Sequence, residues 1–119
     1  MEAPMLEVEL PFPPSVNHYW RMWRGRMVIS EEGRAYRAKV ALILRAKGVR
    51  PMTGPLAVAI EAFPPDHRRR DLDNLLKALG DSLQHGGAFP DDSQIVWLLI
   101  EKAQLVQGGK VTVRITERK

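Results

Sequence analysis

Residues 71–85 read Asp-Leu-Asp-Asn-Leu-Leu-Lys-Ala-Leu-Gly-Asp-Ser-Leu-Gln-His. Leu72, Leu75, Leu76, Leu79 and Leu83 recur at helical spacing, so the segment predicts a helix that starts near 71–73 and ends before Gly86-Gly87, with its leucines in the core. Two apolar runs flank it. Residues 56–63 predict a strand stopped by Pro64-Pro65, and residues 95–100, the most apolar run of the chain, predict a central strand. Further out, Val111-Thr112-Val113-Arg114-Ile115 alternates as a last strand after Gly108-Gly109, and Leu6-Glu7-Val8-Glu9-Leu10 alternates as a first one, closed by Pro11-Phe12-Pro13-Pro14. Residues 15–26 show no clear period. Arg24-Gly25-Arg26 predicts a turn before a short strand at Met27-Val28-Ile29. Ser30 is a good N-cap for a helix over 31–47, with Tyr36, Val40, Ile43 and Leu44 on its buried face and Arg34, Arg37 and Arg45 on the other. The tally, about five strands and two helices, predicts an α+β fold with helices packed on a mixed sheet, in one domain over residues 1–119.

Composition narrows the function classes. Hydrophobic residues make up 45% and charged residues 27% of the 119, which excludes a disordered chain. There is no cysteine, hence no disulfide framework, zinc–cysteine site or thiol nucleophile. No apolar run approaches the ~20 residues of a membrane span, and the first ten residues lack a secretory leader's pattern, so the expectation is a cytoplasmic protein with no membrane partner. The formal net charge of +4 is unevenly spread: residues 18–50 carry nine basic and two acidic side chains, residues 71–92 one basic and five acidic. A basic segment attracts a polyanion, and an acidic cluster attracts a divalent cation. Together they point to metal-dependent chemistry on nucleic acid.

The chemistry concentrates in Arg68-Arg69-Arg70-Asp71-Leu72-Asp73-Asn74-Leu75-Leu76-Lys77, with Asp91-Asp92 further on. Carboxylates beside phosphate-binding cations suit magnesium, which takes one or two carboxylates and completes its shell with water and phosphate. Residues two apart in a helix point ~200° away from each other. Asp71 is therefore expected at the junction entering the helix and Asp73 in its first turn, where negative charge is also favoured. Lys77 follows Asp73 by four residues and shares its face. Asp92 is expected to join them from the loop before the central strand. Each piece also has an ordinary reading: Asp71 as a helix cap, Asp73 with Lys77 as a surface ion pair, the arginines as a solvated run, Asp91-Asp92 as a turn. His18, His67 and His85 show no ligand spacing. Tyr19, Trp20 and Trp23 lie among arginines, where base stacking and core anchoring are equally open.

The chain resembles the RusA family of Holliday junction resolvases. The resemblance runs through Leu10-Pro11-Phe12-Pro13-Pro14-Ser15-Val16-Asn17, Arg24-Gly25-Arg26, the 28–37 segment, Arg69-Arg70-Asp71-Leu72-Asp73-Asn74-Leu75 with Lys77, and Asp91-Asp92 followed by Gln94-Ile95-Val96. It implies a homodimeric, magnesium-dependent endonuclease that binds four-way junction DNA and nicks two opposing strands. It also implies that Asp71, Asp73 and Asp92 are the essential metal-binding aspartates, Lys77 the essential lysine, and Arg70 an arginine acting with them. Arg68, Arg69 and Arg70, with Arg24, Arg26, Arg34 and Arg37, are the expected DNA-binding residues. Val16 and Ala88-Phe89-Pro90 depart from the family pattern without touching those positions. A branched-DNA or flap nuclease of relaxed specificity and a non-catalytic nucleic-acid-binding protein are the alternatives.

Overall fold

The computed structural model describes residues 5–118. Its elements in chain order are β1 (Met5–Leu10), α1 (Val16–Tyr19), β2 (Trp20–Trp23), β3 (Arg26–Ile29), α2 (Glu31–Ala46), β4 (Leu56–Phe63), α3 (Leu72–His85), a single 3₁₀ turn (Asp92–Gln94), β5 (Ile95–Lys102) and β6 (Lys110–Glu117). Four strands form a mixed sheet in the order β1-β6-β4-β5, and β2 and β3 form a separate ribbon. The fold is α+β, with the two expected long helices, a short third one, and six strands.

Alternation in the sequence becomes a one-sided sheet. β1 buries Leu6, Val8 and Leu10, β4 buries Leu56, Val58, Ile60 and Ala62, and β6 buries Val111, Val113 and Ile115. These meet Tyr36, Val40 and Leu44 of α2 and Leu75, Ala78, Leu79 and Leu83 of α3 in one core. Ser30 caps α2 as expected, its hydroxyl accepting from the Gly33 amide at 2.9 Å. No helix among the described residues is long and apolar enough to cross a membrane.

Two expectations are corrected. Residues 95–100 do not form a central strand: β5 is an edge, paired in parallel with β4 on one side only. A continuous apolar run suggests burial on both faces, yet Val96, Trp97, Leu98 and Leu99 are 60%, 42%, 41% and 46% exposed. Among the described residues nothing covers them. The central strands are β6 and β4, which carry alternating patterns because the helices cover only one side of them. The second correction concerns residues 15–26. They have no period because they are three short pieces: α1, then β2, then the hairpin turn to β3, in which Arg24 and Gly25 take φ of +49° and +74°. Positive φ at both central residues gives the turn whose twist matches a two-stranded ribbon.

The ribbon and α1 are fastened to the helices through Tyr19, which is fully buried. Its hydroxyl donates to Asp81 of α3 and lies 3.0 Å from the Ser82 hydroxyl, while Arg37 of α2 forms an ion pair with Asp81 at 2.9 Å. Burial and the neighbouring Asp81 carboxylate push the Tyr19 hydroxyl above its ordinary pKa, so it remains the donor. Gly33 lets the first turn of α2 lie against the Tyr19 carbonyl and Ile29; a Cβ there would collide with both. Gly33→Ala is therefore expected to lower unfolding stability by about 1–3 kcal/mol, the usual cost of overpacking. A urea unfolding midpoint unchanged by the substitution would remove this contact from the account.

Candidate active site

The path from β4 to α3 builds the first half of the site. Residues 64–71 form a loop tied down by Asp66, which accepts from the Arg68 amide and forms an ion pair with Arg70 at 2.9 Å. That amide bond and the arginine hold the Asp66 carboxyl below its usual range. Arg70 also donates to the carbonyls of Asp66 and Arg68 and lies over the Phe12 ring at 5.2 Å. Asp71 then occupies the N-cap position of α3 with extended backbone, and Asp73 sits in the first turn, as the spacing requires. On the facing side, the Tyr36 hydroxyl donates to the Pro11 carbonyl at 2.7 Å and holds the proline-rich loop. Between the loops runs a groove of about 220 Å³ lined by Phe12, Pro13, Pro14, Ser15, Arg69, Arg70, Asp71, Asn74 and Leu75.

The carboxylates divide into two groups. Asp66, Asp81 and Asp91 are engaged: with Arg68 and Arg70, with Tyr19 and Arg37, and as the cap of the 3₁₀ turn. The amide of Ser93 lowers the Asp91 carboxyl from its ordinary pKa. Among the described residues, no cation and no backbone amide bonds the side chains of Asp71, Asp73 or Asp92. Asp71 stands where a cap would, but its side chain caps nothing. Asp73 and Lys77 are four apart on α3 and form no ion pair. The ordinary readings of these residues as a cap and a surface pair therefore fail. The structure leaves exposed carboxylates and an exposed ammonium with no ion-pair partner among the described residues; Asp71 and Asp73 gain only the favourable field of the helix N-terminus.

Asp92 lies in the turn ahead of β5, as expected, but that turn is not beside Asp71 within the chain. It opens the 3₁₀ turn that precedes β5, and its amide donates to the side chain of Gln84, near the last turn of α3, at 3.3 Å. Asp73 lies at the opposite end of that helix, eleven residues earlier, or ~16 Å along the axis. The reason is topological. β4 and β5 are parallel and α3 connects them, so α3 runs back against both. The loop entering α3 lies at the far end of the strands, where Asp71 shares a cleft with Ala62 and with Lys102 at the end of β5. The loop leaving α3 lies at the near end. Among the described residues, no three His, Asp or Glu side chains gather closely enough to hold a metal ion.

The expected DNA-binding arginines fall into two sets. Arg24, Arg26 and Arg69 are exposed and meet no carboxylate among the described residues. Arg70 and Arg37 are committed to Asp66 and Asp81, Arg34 donates to the Ile29 carbonyl at 3.1 Å, and Arg68 lies 3.9 Å from Asp66. Sequence reasoning missed the groove-lining Phe12 and Asn74, and it missed Gln84 and Gln94, which fix the Asp92 turn. Gln94 closes a capping box with Asp91 and donates to the carbonyls of Met52 and Gly54. The box was legible in Asp91-Asp92-Ser93-Gln94, an acidic cap with Gln three residues on. The grip of Gln84 on the turn left no local signal.

Residues 11–116 match the family model described as Endodeoxyribonuclease RusA. The chain belongs to the RusA family. It is 44% identical to the crossover junction endodeoxyribonuclease RusA of Enterobacteria phage 82 over 111 residues, covering 92% of each chain. It is 43% identical, with the same coverage, to the crossover junction endodeoxyribonucleases RusA of Escherichia coli and Shigella sonnei. The free carboxylates thus belong to a RusA-family fold spanning almost the whole chain. Because these carboxylates hold nothing, Asp71→Asn, Asp73→Asn and Asp92→Asn are each expected to leave stability within about 0.5 kcal/mol of the parent. Asp81→Asn, which breaks the Tyr19 and Arg37 contacts, is expected to cost about 1–2 kcal/mol. Thermal melts of the four variants side by side check the contrast.

Proposed function

We propose that this RusA-family chain, acting as one domain over residues 1–119, is a crossover junction endodeoxyribonuclease. It hydrolyses phosphodiesters in four-way junction DNA by paired nicks, in recombination and repair, in the cytoplasm at the nucleoid. The single observation that carries the reading is that, among the described residues, Asp71, Asp73 and Asp92 pair with no cation and Lys77 with no carboxylate, while Asp66, Asp81 and Asp91 are engaged. A protein that only bound DNA would gain nothing from free carboxylates beside phosphate.

The donor set fits magnesium. It is all hard oxygen, and one or two carboxylates suffice when water and phosphate complete the shell. Asp71 and Asp73 would hold the ion from the entrance of α3, with Asp92 the remaining carboxylate. When bound, the ion would polarise the phosphate and prepare water for attack. Lys77, one turn along α3 from Asp73, would stabilise charge that develops on the phosphate. Arg69 neutralises the backbone beside the groove, and Arg24 and Arg26 do so from the tip of the ribbon. Arg68 and Arg70 shape the loop that presents Asp71.

The protein acts as a homodimer. A four-way junction has two-fold symmetry, and a two-fold dimer offers equivalent sites to equivalent phosphates. The surface that supports a second copy is β5, an edge strand with four consecutive exposed apolar side chains. Such an edge invites pairing with another chain.

Nicking assays on four-way junctions, flaps and plain duplex in magnesium test the reading. Asp73→Asn is expected to abolish nicking while retaining junction binding; full nicking would sink it. Lys77→Met should fold and bind, with nicking slower by at least ~100-fold, the cost of losing one donor aimed at developing charge. A rate within a few-fold of the parent would reduce Lys77 to a surface residue. Leu98→Lys, placed on the exposed edge, should yield a monomer by sedimentation and should uncouple the two nicks.

A further inference from the structure

We propose that the β2–β3 ribbon reads the branch point of the junction: Trp23 stacks on a nucleobase exposed there, and Arg21 and Arg26 hold the phosphates beside it. The inference rests on the junction-nuclease reading above and adds how the chain tells a junction from plain duplex.

Register sorts the ribbon into two faces. Trp20 opposes Ile29, Arg21 opposes Val28, Met22 opposes Met27 and Trp23 opposes Arg26. Opposed residues share a face, and neighbours along a strand alternate. One face therefore carries Trp20, Ile29, Met22 and Met27. Trp20 and Ile29 pack against the core, and the Trp20 ring meets the Tyr19 ring edge-on at 4.3 Å. The other face carries Arg21, Val28, Trp23 and Arg26. The sequence left core anchoring and base stacking open for Tyr19, Trp20 and Trp23 alike. The structure divides them. Tyr19 and Trp20 anchor the ribbon, while Trp23 stands three residues further out on the opposite face and is 44% exposed.

The surroundings of Trp23 suit a nucleic acid strand. The Arg24 guanidinium lies over its ring at 4.5 Å, which steadies the indole and places positive charge beside it. Arg21, Arg24 and Arg26 are exposed and meet no carboxylate among the described residues. Guanidiniums on either side of an exposed indole match phosphates on either side of a base. In continuous duplex each base is covered on both faces. A side chain entering there must first unstack a step, at a cost comparable to what stacking returns. Where four arms meet, opening of the arms leaves terminal pairs with a bare face. Trp23 therefore strengthens binding at the branch point and contributes little on duplex, whereas the arginines act on both.

The root of the ribbon makes this contact useful to the reaction. The Ser30 amide donates to the Tyr19 carbonyl at 2.9 Å, and the Tyr19 side chain bonds Asp81 and Ser82 of α3. Asp81 follows Asp73 by two turns of that helix, or ~12 Å. A base held by Trp23 is thus held relative to the helix that carries Asp73 and Lys77.

Affinities for a four-way junction and for plain duplex, measured over a range of salt in the Asp73→Asn chain, test this. Trp23→Ala should weaken junction binding about 5- to 150-fold, the worth of one stacked base. It should leave duplex binding and the salt dependence of both unchanged, because no phosphate contact is lost. Trp23→Phe, which keeps a smaller ring, should recover part of the loss. Arg21→Ala and Arg26→Ala should weaken both DNAs and lower the salt slope by about 0.9 each. A 2-aminopurine placed at the branch point should be dimmer in complex with the Trp23 chain than with Trp23→Ala, since a stacked indole quenches it. The same probe in the middle of an arm should show no difference. Equal weakening of junction and duplex by Trp23→Ala, no weakening of either, or a branch-point probe indifferent to the substitution overturns the inference. If the parent still prefers and nicks junctions, the nuclease reading survives that result. A parent with no preference for junctions overturns both.

Discussion

A chain that leaves one strand and enters a parallel neighbour must travel back along the full length of the sheet. In this protein α3 makes that journey between β4 and β5. Fourteen helical residues cover ~21 Å, close to the length of the strands, so little loop is needed at either end. The residues before α3 and the residues after it are thereby fixed at opposite ends of the molecule. The placement of every candidate catalytic side chain follows from this. Asp71, Asp73 and Lys77 cannot leave the end where α3 begins, and Asp92 cannot leave the end where β5 begins.

The same helix carries packing and chemistry on different faces. Leu75, Ala78, Leu79 and Leu83 are buried against the sheet and α2. Asp73, Lys77 and Asp81 recur every four residues on another face. Asp81, the last of them, faces inward far enough to bind Tyr19 and Arg37. The Arg37 guanidinium loses solvation there, which disfavours its charge, but its bonds to Asp81 and Tyr19 outweigh this and leave its pKa raised. So one end of the stripe locks α1, α2 and the ribbon to α3, and the other end is left with charges that nothing among the described residues neutralises. Stability and function are separated along a single helix face, about two turns apart.

Much of this was legible from local pattern. The α3 boundaries, the Ser30 cap, the buried face of α2 and the alternating β1 and β6 followed from side-chain period and cap chemistry. Asp71 at the helix junction followed from the angle between residues two apart. The failures were of another kind. Residues 15–26 gave no period because no element there exceeds four residues. The run at 95–100 was read as central because it is apolar throughout, and nothing in a sequence separates burial by the same chain from burial by a second copy. Asp92 lies in the turn ahead of β5, as the sequence led one to expect, but its distance from Asp71 along the fold was not legible, because a motif says which residues work together and carries no information about the topology between them. Arg37 and Arg70 looked like a free basic face, since their partners, Asp81 and Asp66, are fixed by tertiary contact and by a local turn.

The distribution of charge keeps the two binding events apart. The open face of the sheet is a shallow concavity lined by Glu7, Glu9, Glu61 and Glu101. Arg114 in it is spent on Glu7, and Lys110 nearby on Glu9, so the four carboxylates outweigh the remaining Lys47. A polyanion gains nothing there. Three of the expected DNA-binding arginines, Arg24, Arg26 and Arg69, are exposed, meet no carboxylate among the described residues, and lie on the ribbon tip and the loop entering α3. DNA attracted to them approaches from the loops and the ribbon, and not across the acidic open face. The four exposed apolar side chains and the unpaired backbone of β5 form a second, uncharged surface. The two surfaces approach each other at the ends of β5, where Asp71 and Asp92 stand.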